Sequence, residues 1–286
     1  MSNTGHDQDQ HKAGKRRAAA RRRGDRTSVE TDGTAFYRAA IQRLQGAKVP
    51  FLAGGAYALE VLAGIVRRTK DFDIFVLEED SQRCLSVLAA AGYRTELTYP
   101  HWLGKAFCGE DFIDVIFNSG NGHCRVDEEW FKHAGTGRIF DIQLSLCPVE
   151  EIVWQKSFIL ERDRCDVADV AHLLRHRGNE VNWKRLLVRF GNHWRVLLAQ
   201  IVLFDFIFPT HRDSVPAWVR EQLLANCQND KLPAGEMDRA CYGTLLSASQ
   251  YLRDVDLEDY RDVRLLPIGS LTPEQLTVWT AHFMEH

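Results

Sequence analysis

The sequence predicts an α/β fold: a small mixed sheet with flanking helices, followed by a mostly helical C-terminal domain. Three observations lead there. Between residues 35 and 147, short apolar runs of strand length alternate with segments whose apolar residues recur at helical spacing. A glycine pair, Gly54-Gly55, separates the first such run from a helical segment, and Asp71 and Asp73 head the next run. After Pro148 the strand-like runs stop and helical patterns dominate.

Taken in order, Phe36, Ala40, Ile41 and Leu44 mark a first helix, and 49–53 is a short strand ending in the glycine pair. A helix over 56–65 carries Leu59, Leu62 and Ala63 on one face, and 71–77 is a strand. Asp80 or Ser81 can cap the next helix, which carries Cys84, Leu85, Leu88 and Ala89 and stops at Gly92. Strands are expected at 93–97, 102–108 and 112–117, the last ended by the turn-forming Asn118, Ser119, Gly120, Asn121 and Gly122. Residues 127–133 read as a short helix and 138–147 as a last strand or extended link. Pro148 suits a helix start, with Glu150 and Glu151 complementing the dipole. Helices are then expected at 149–161, 163–176, 182–190, 193–208 and 215–226, and a final one opens on Thr272 and Gln275 in capping-box spacing.

A chain of 286 residues with 45% hydrophobic and 26% charged residues has the composition of a soluble globular protein. We divide it into a tail at 1–34, a core at 35–147 and a helical domain at 148–286. The net charge of -3 hides an asymmetry, because the tail is basic. It holds Lys12, Lys15, Arg16, Arg17, Arg21, Arg22, Arg23 and Arg26, lacks periodic apolar positions and is expected to be disordered. The block from Lys15 to Arg26 reads as a solvated tail or as a contact for nucleic acid or another polyanion. The seven cysteines are scattered without Cys-x-x-Cys spacing, which reads as free thiols in a reducing cytoplasm. No apolar signal region opens the chain, and the apolar run at 196–208, interrupted by Gln200 and Asp205, is too short to span a bilayer.

The chemistry rests on carboxylates. Asp-x-Asp occurs three times, as Asp7/Asp9, Asp71/Asp73 and Asp254/Asp256, and only the middle pair sits at a strand. Residues i and i+2 of a strand point to one face, so Asp71 and Asp73 repel each other unless a cation lies between them. Asp114 stands alone inside an otherwise apolar strand, which is costly for a carboxylate without a strong partner. It reads as a third metal ligand or as an edge-strand residue facing water. Oxygen donors of this kind suit magnesium, which takes a few carboxylates together with substrate phosphates. Gly54-Gly55, between a strand and a helix, lets backbone amides approach a phosphate, or forms an ordinary tight turn. His172 and His176 are spaced i, i+4 but read as surface residues, and Trp183 and Trp194 as core.

Together, Gly54-Gly55, the run Arg68-Thr69-Lys70-Asp71-Phe72-Asp73, and Asp114 resemble the nucleotidyltransferase superfamily of DNA polymerase beta-like folds, in particular its minimal, AbiEii-like bacterial branch. The segment from Glu151 to Lys156, followed by Arg162, Arg164, Asp166 and Asp169, is similar to the lysine-bearing helix and Arg/Asp-rich turn of that branch. The resemblance covers about 35–176. It implies that Asp71, Asp73 and Asp114 bind two magnesium ions with a nucleoside triphosphate, and that Gly54 and Gly55 contact phosphate. Lys156 and Arg68 would neutralise triphosphate charge, unless they are surface cations. The implied reaction is in-line transfer of a nucleoside monophosphate to an acceptor hydroxyl with release of pyrophosphate. The acceptor is a protein, an RNA or a small molecule. The other readings are a non-catalytic nucleotide-binding protein that keeps the fold, and a polyanion-binding accessory protein acting through its tail.

Overall fold

The computed structural model describes residues 32–67, 69–229 and 239–284. The Lys15 to Arg26 block and the tail through residue 31 lie outside the described residues. The first helix, α1 (Asp32–Gly46), starts inside the segment read as tail and presents Phe36, Tyr37, Ala40, Ile41 and Leu44 to the core.

The sheet-forming part runs β1 (Leu52–Ala53), α2 (Gly55–Ala63), β2 (Asp71–Phe75), α3 (Glu78–Ala90), β3 (Arg94–Tyr99), β4 (Leu103–Cys108), β5 (Asp111–Ile116), α4 (Glu128–Lys132), β6 (Gly135–Ile139) and β7 (Ile142–Leu146). Its strands form one mixed seven-stranded sheet in the order β3-β4-β5-β2-β1-β7-β6. The parallel pairs are β2 with β5 and β1 with β7, and the others are antiparallel.

Two local expectations change. Neither Asp80 nor Ser81 caps α3, which starts earlier at Glu78, so that Glu78, Glu79 and Asp80 fill its first turn and complement its dipole. The stretch expected as one strand or link before Cys147 is a hairpin of β6 and β7. Its turn places Phe140 and Asp141 at φ 50° and 60°, a left-handed geometry usually signalled by Asn-Gly. Phe140 is held there by packing, stacking on Tyr37 at 5.5 Å and meeting Tyr57 edge-on at 4.7 Å.

Alternation along the strands divides the sheet into two faces. Phe72, Ile74, Ile113 and Val115 point to one side, into a cluster with α1 and α3. Phe75 and Ile116 point to the other, into a cluster with α2, Trp130 and the helices after Pro148. Those helices are α5 (Val149–Ser157), α6 (Val167–Arg177), α7 (Trp183–Phe190), α8 (Trp194–Ile207), α9 (Ala217–Asn229), α10 (Leu252–Leu257) and α11 (Pro273–Met284), with a two-stranded ribbon of β8 (Ala240–Cys241) and β9 (Arg261–Asp262). The capping box before α11 forms both ways, Thr272 N donating to Gln275 Oε1 at 2.9 Å and Gln275 N to Thr272 Oγ1 at 3.3 Å. Trp183 is core as expected, its indole donating to Gly178 O at 3.0 Å. All seven cysteines are unpaired. No helix among the described residues is long and apolar enough to cross a membrane.

Composition shifts at Pro148, but packing continues across it. Glu151, wholly buried on α5, ion-pairs Arg185 of α7 and accepts from Arg189 Nε at 3.0 Å. Arg189 also grips Asp127, the cap of α4, at 2.6 and 2.8 Å. Burial pushes the Glu151 carboxyl up while the two arginines pull it down. Removing one member of such a set leaves buried charge uncompensated. Glu151→Ala should therefore lower unfolding stability by about 3 kcal/mol. Urea titration, with an unchanged denaturant slope, measures it.

Candidate active site

The sheet face that receives the C-terminal helices carries the acids. On β2, Asp71, Asp73 and Phe75 share this face, and Phe72 and Ile74 fill the opposite core. The parallel register sets Asp73 beside Asp114 of β5. Oxygens of Asp71, Asp73 and Asp114, all half-buried, lie within 4.8 Å of one another. β5 is flanked by β4 and β2, so Asp114 is not an edge-strand residue facing water. Its partner is Lys105 of β4, whose Nζ donates to Asp114 Oδ1 at 2.7 Å.

This crowding is visible in the acids' proton affinities. Burial, then repulsion by Asp114 and Asp71, pushes Asp73 up to about 7, against the pull of Lys156 and Arg164. Burial also raises Asp114, and Lys105 opposes the rise. Hard oxygen donors held this close are the donor set that a small divalent cation satisfies, so the residues fit magnesium.

Gly54 and Gly55 bring the N-terminus of α2 onto the acids. Gly54 N donates to Asp73 O at 3.0 Å and occupies the cap position of α2. Gly55 takes φ +56°, and a methyl group there would overlap the Asp73 carboxylate. A methyl on Gly54 would instead strike the Phe75 ring. The pair is thus required by close approach, which is more than an ordinary tight turn needs. Tyr37 Oη, donating to Lys70 O at 2.7 Å, secures the chain just before Asp71.

A cavity of about 620 Å³ opens over the acids. Asp71, Asp73, Asp114, Gly55 and Lys156 all line it, so most of the residues singled out in the sequence converge. Gly54 stands behind the lining, and Arg68 lies outside the described residues. Lys156 is not a free cation. Its Nζ sits 2.7 Å from Asp166 and 2.8 Å from Asp169, both buried on or before α6, and Arg67 also pairs with Asp169. Against the upward pull of burial, Lys156 and Arg164 hold Asp166 below its usual value. Burial disfavours the Arg164 charge, yet Asp166, with Asp73 and Asp71, holds its pKa up. Arg164 lies at the cavity wall and feels both strand acids, and Lys156 also draws on Asp73.

The remaining walls were not legible as a site. Ser119, Gly120 and Asn121 read only as a turn, and Leu245 to Ala248 as undistinguished sequence, yet both line the cavity. They are joined directly: Asn121 Nδ2 donates to Leu245 O at 2.6 Å. Glu161 fixes the same segment, accepting from Ser247 Oγ at 2.5 Å and Ala248 N at 2.6 Å. The only available signal for Lys105 was a lone cation in a strand, and its meaning depends on which strand lies next to it.

No family model matches the sequence. No curated protein matches it either. Among solved structures, the antibiotic-resistance factor ANT(2'')-Ia matches at 14% identity and a TM-score of 0.37, over 70% of this chain and 99% of that one. The lincosamide antibiotic adenylyltransferase LnuA matches at 18% identity and a TM-score of 0.37, over 50% of this chain and 96% of that one. JHP933 from Helicobacter pylori matches at 13% identity and a TM-score of 0.36, over 69% and 94%. At these values the likeness establishes neither family nor activity for this chain.

Two predictions come from the crowded acids. Gly55→Ala should weaken Mn2+ binding at least about tenfold and cost about 1–3 kcal/mol of stability through backbone strain alone. Calorimetry and urea titration read the two effects. The second concerns pH without metal. Asp73 has a folded-state value raised from 3.8 to about 7, so its contribution favours the fold at low pH and is lost as pH rises. In EDTA, unfolding stability should fall between about pH 4 and 7, and Asp73→Asn should flatten that slope.

Proposed function

We propose that this chain is a magnesium-dependent nucleotidyltransferase, moving a nucleoside monophosphate from a nucleoside triphosphate to an acceptor hydroxyl with release of pyrophosphate. The observation that carries this reading is the convergence of Asp71, Asp73 and Asp114 beneath a cavity that also takes the N-terminus of α2. A cation-binding set of acids beside a helix N-terminus suits a ligand that brings metal and phosphate together. The residues 35–147 are the proposed catalytic core, and 148–286 the helical domain that closes it. The seven unpaired cysteines fit a reducing cytoplasm.

Asp71, Asp73 and Asp114 would hold the magnesium, which supplies charge neutralisation for the triphosphate and the leaving pyrophosphate. The N-terminus of α2 would receive the phosphates, brought onto the acids because Gly55 leaves room for the Asp73 carboxylate. Arg164 and Lys156 both draw on Asp73 and supply positive charge at the cavity wall, the role expected of Arg68 and Lys156 from sequence. Lys156 also anchors Asp166 and Asp169, fixing the wall that carries Arg164. The acceptor oxygen bonds to the α phosphorus as the bond to the bridging oxygen of pyrophosphate breaks. The hydroxyl proton leaves to water. Trp102, Phe158, Leu245 and Trp279 form the apolar part of the cavity wall around this step.

The test is incubation with each α-phosphate-labelled nucleoside triphosphate and magnesium, in the presence of protein, RNA and small-molecule fractions of a cell extract. Label should pass to one fraction with release of pyrophosphate, and Asp73→Asn should reduce the rate at least about a hundredfold. Calorimetric binding of the triphosphate without any transfer would favour a non-catalytic nucleotide-binding protein instead.

A further inference from the structure

Lys105 is the charged group at the acids that the resemblance does not explain. It stands on β4 directly opposite Asp114, and Asp114 stands directly beside Asp73. Facing residues of neighbouring strands share a face, so Asp73, Asp114 and Lys105 form one row across three strands. The ammonium is fixed from two sides: it donates to Asp114 Oδ1 at 2.7 Å and lies 4.1 Å from the centroid of the Phe112 ring. The next residue in the row is Glu96 of β3, opposite Lys105. Glu96 is engaged elsewhere, accepting from Arg94 Nη1 at 2.8 Å and Thr98 Oγ1 at 3.1 Å. The lysine's charge is therefore directed at the acid triad. Both partners are largely shielded, with side chains 20% and 14% exposed, so the charge acts with little screening.

We propose that Lys105 takes the place of a second divalent cation, so that the triad holds one metal ion and one ammonium. The proposal rests on the nucleotidyl-transfer reading. Two-metal centres hold their ions about 3.5–4 Å apart on shared carboxylates. Asp114 already gives one oxygen to the ammonium, and a second dication on that carboxylate would face a fixed positive charge at ion-pair range. One metal, held chiefly by Asp71 and Asp73, meets no such obstacle. Lys105 is then a positioning residue. It holds Asp114 Oδ1 and leaves the other carboxylate oxygen for the metal.

The experiment counts Mn2+ by electron paramagnetic resonance on the full chain, with and without a non-hydrolysable triphosphate analogue. The wild type should bind about one ion per chain at the triad. Lys105→Met should bind about two, with the spin-coupled signal of ions about 3.5–4 Å apart. Lys105→Arg, which keeps a cation, should return the count to about one. Two coupled ions in the wild type would overturn the proposal, as would an unchanged count in Lys105→Met with a normal circular-dichroism melt. If Lys105→Met does not fold, the wild-type and Lys105→Arg counts still decide. The count without nucleotide separates this proposal from the reaction itself. A single ion that Lys105→Met turns into two supports the lysine's role even if no triphosphate is ever turned over.

Discussion

Mutual repulsion among three carboxylates organises this molecule. Asp71, Asp73 and Asp114 are brought together by a parallel strand pair whose register places like charges side by side. A sheet gains stability from facing pairs that attract or pack, and like charges directly opposite work against it. The arrangement persists because the opposite faces of the same strands bury Phe72, Ile74, Ile113 and Val115 in a continuous core. Burying side chains of this size contributes about 1.5–3 kcal/mol each. The apolar face holds the strands in register, and the polar face bears the strain.

The neighbours of the acids are arranged around the same conflict. Lys105 partners Asp114 from one side, and α2 approaches from the other through glycines that leave no side chain in the way. Above them, Lys156 is bound to Asp166 and Asp169, and Arg164 completes a second set of opposed charges. A third set, built on Glu151, Arg185, Arg189 and Asp127, joins the helices to the sheet. Buried ion sets of this kind add little net stability over apolar packing, but each tolerates only a narrow range of geometries. They determine how the helical part sits over the acid face, and so the shape of the cavity.

Much of this was legible in the sequence because it is local. Strand runs, helical spacing, the glycine pair and the acids at i and i+2 are all visible within a few residues, and the structure puts them where the pattern indicates. What was missed depends on long-range pairing. Lys105 acquires its role only once β4 and β5 are known to be adjacent. That Lys156, read from sequence as a cation for phosphate, also pairs with Asp166 and Asp169 shows only once the two helices are packed together. The β6–β7 hairpin was hidden because Phe140, a residue poorly suited to its turn, is held by three aromatic neighbours distant in sequence.

The bond from Asn121 to the carbonyl of Leu245 spans 124 residues, and the Glu161 contacts with Ser247 and Ala248 span 86 and 87. During synthesis, the acid row is complete long before the segment that walls it emerges. Chains of this size fold progressively, earlier parts first. A nascent chain would therefore display an open acid surface, with Lys105 beside it, for many seconds at the pace of translation. The cavity wall over the acids arrives only with residues 245–248, so the site's shape is set well after its acids are in place.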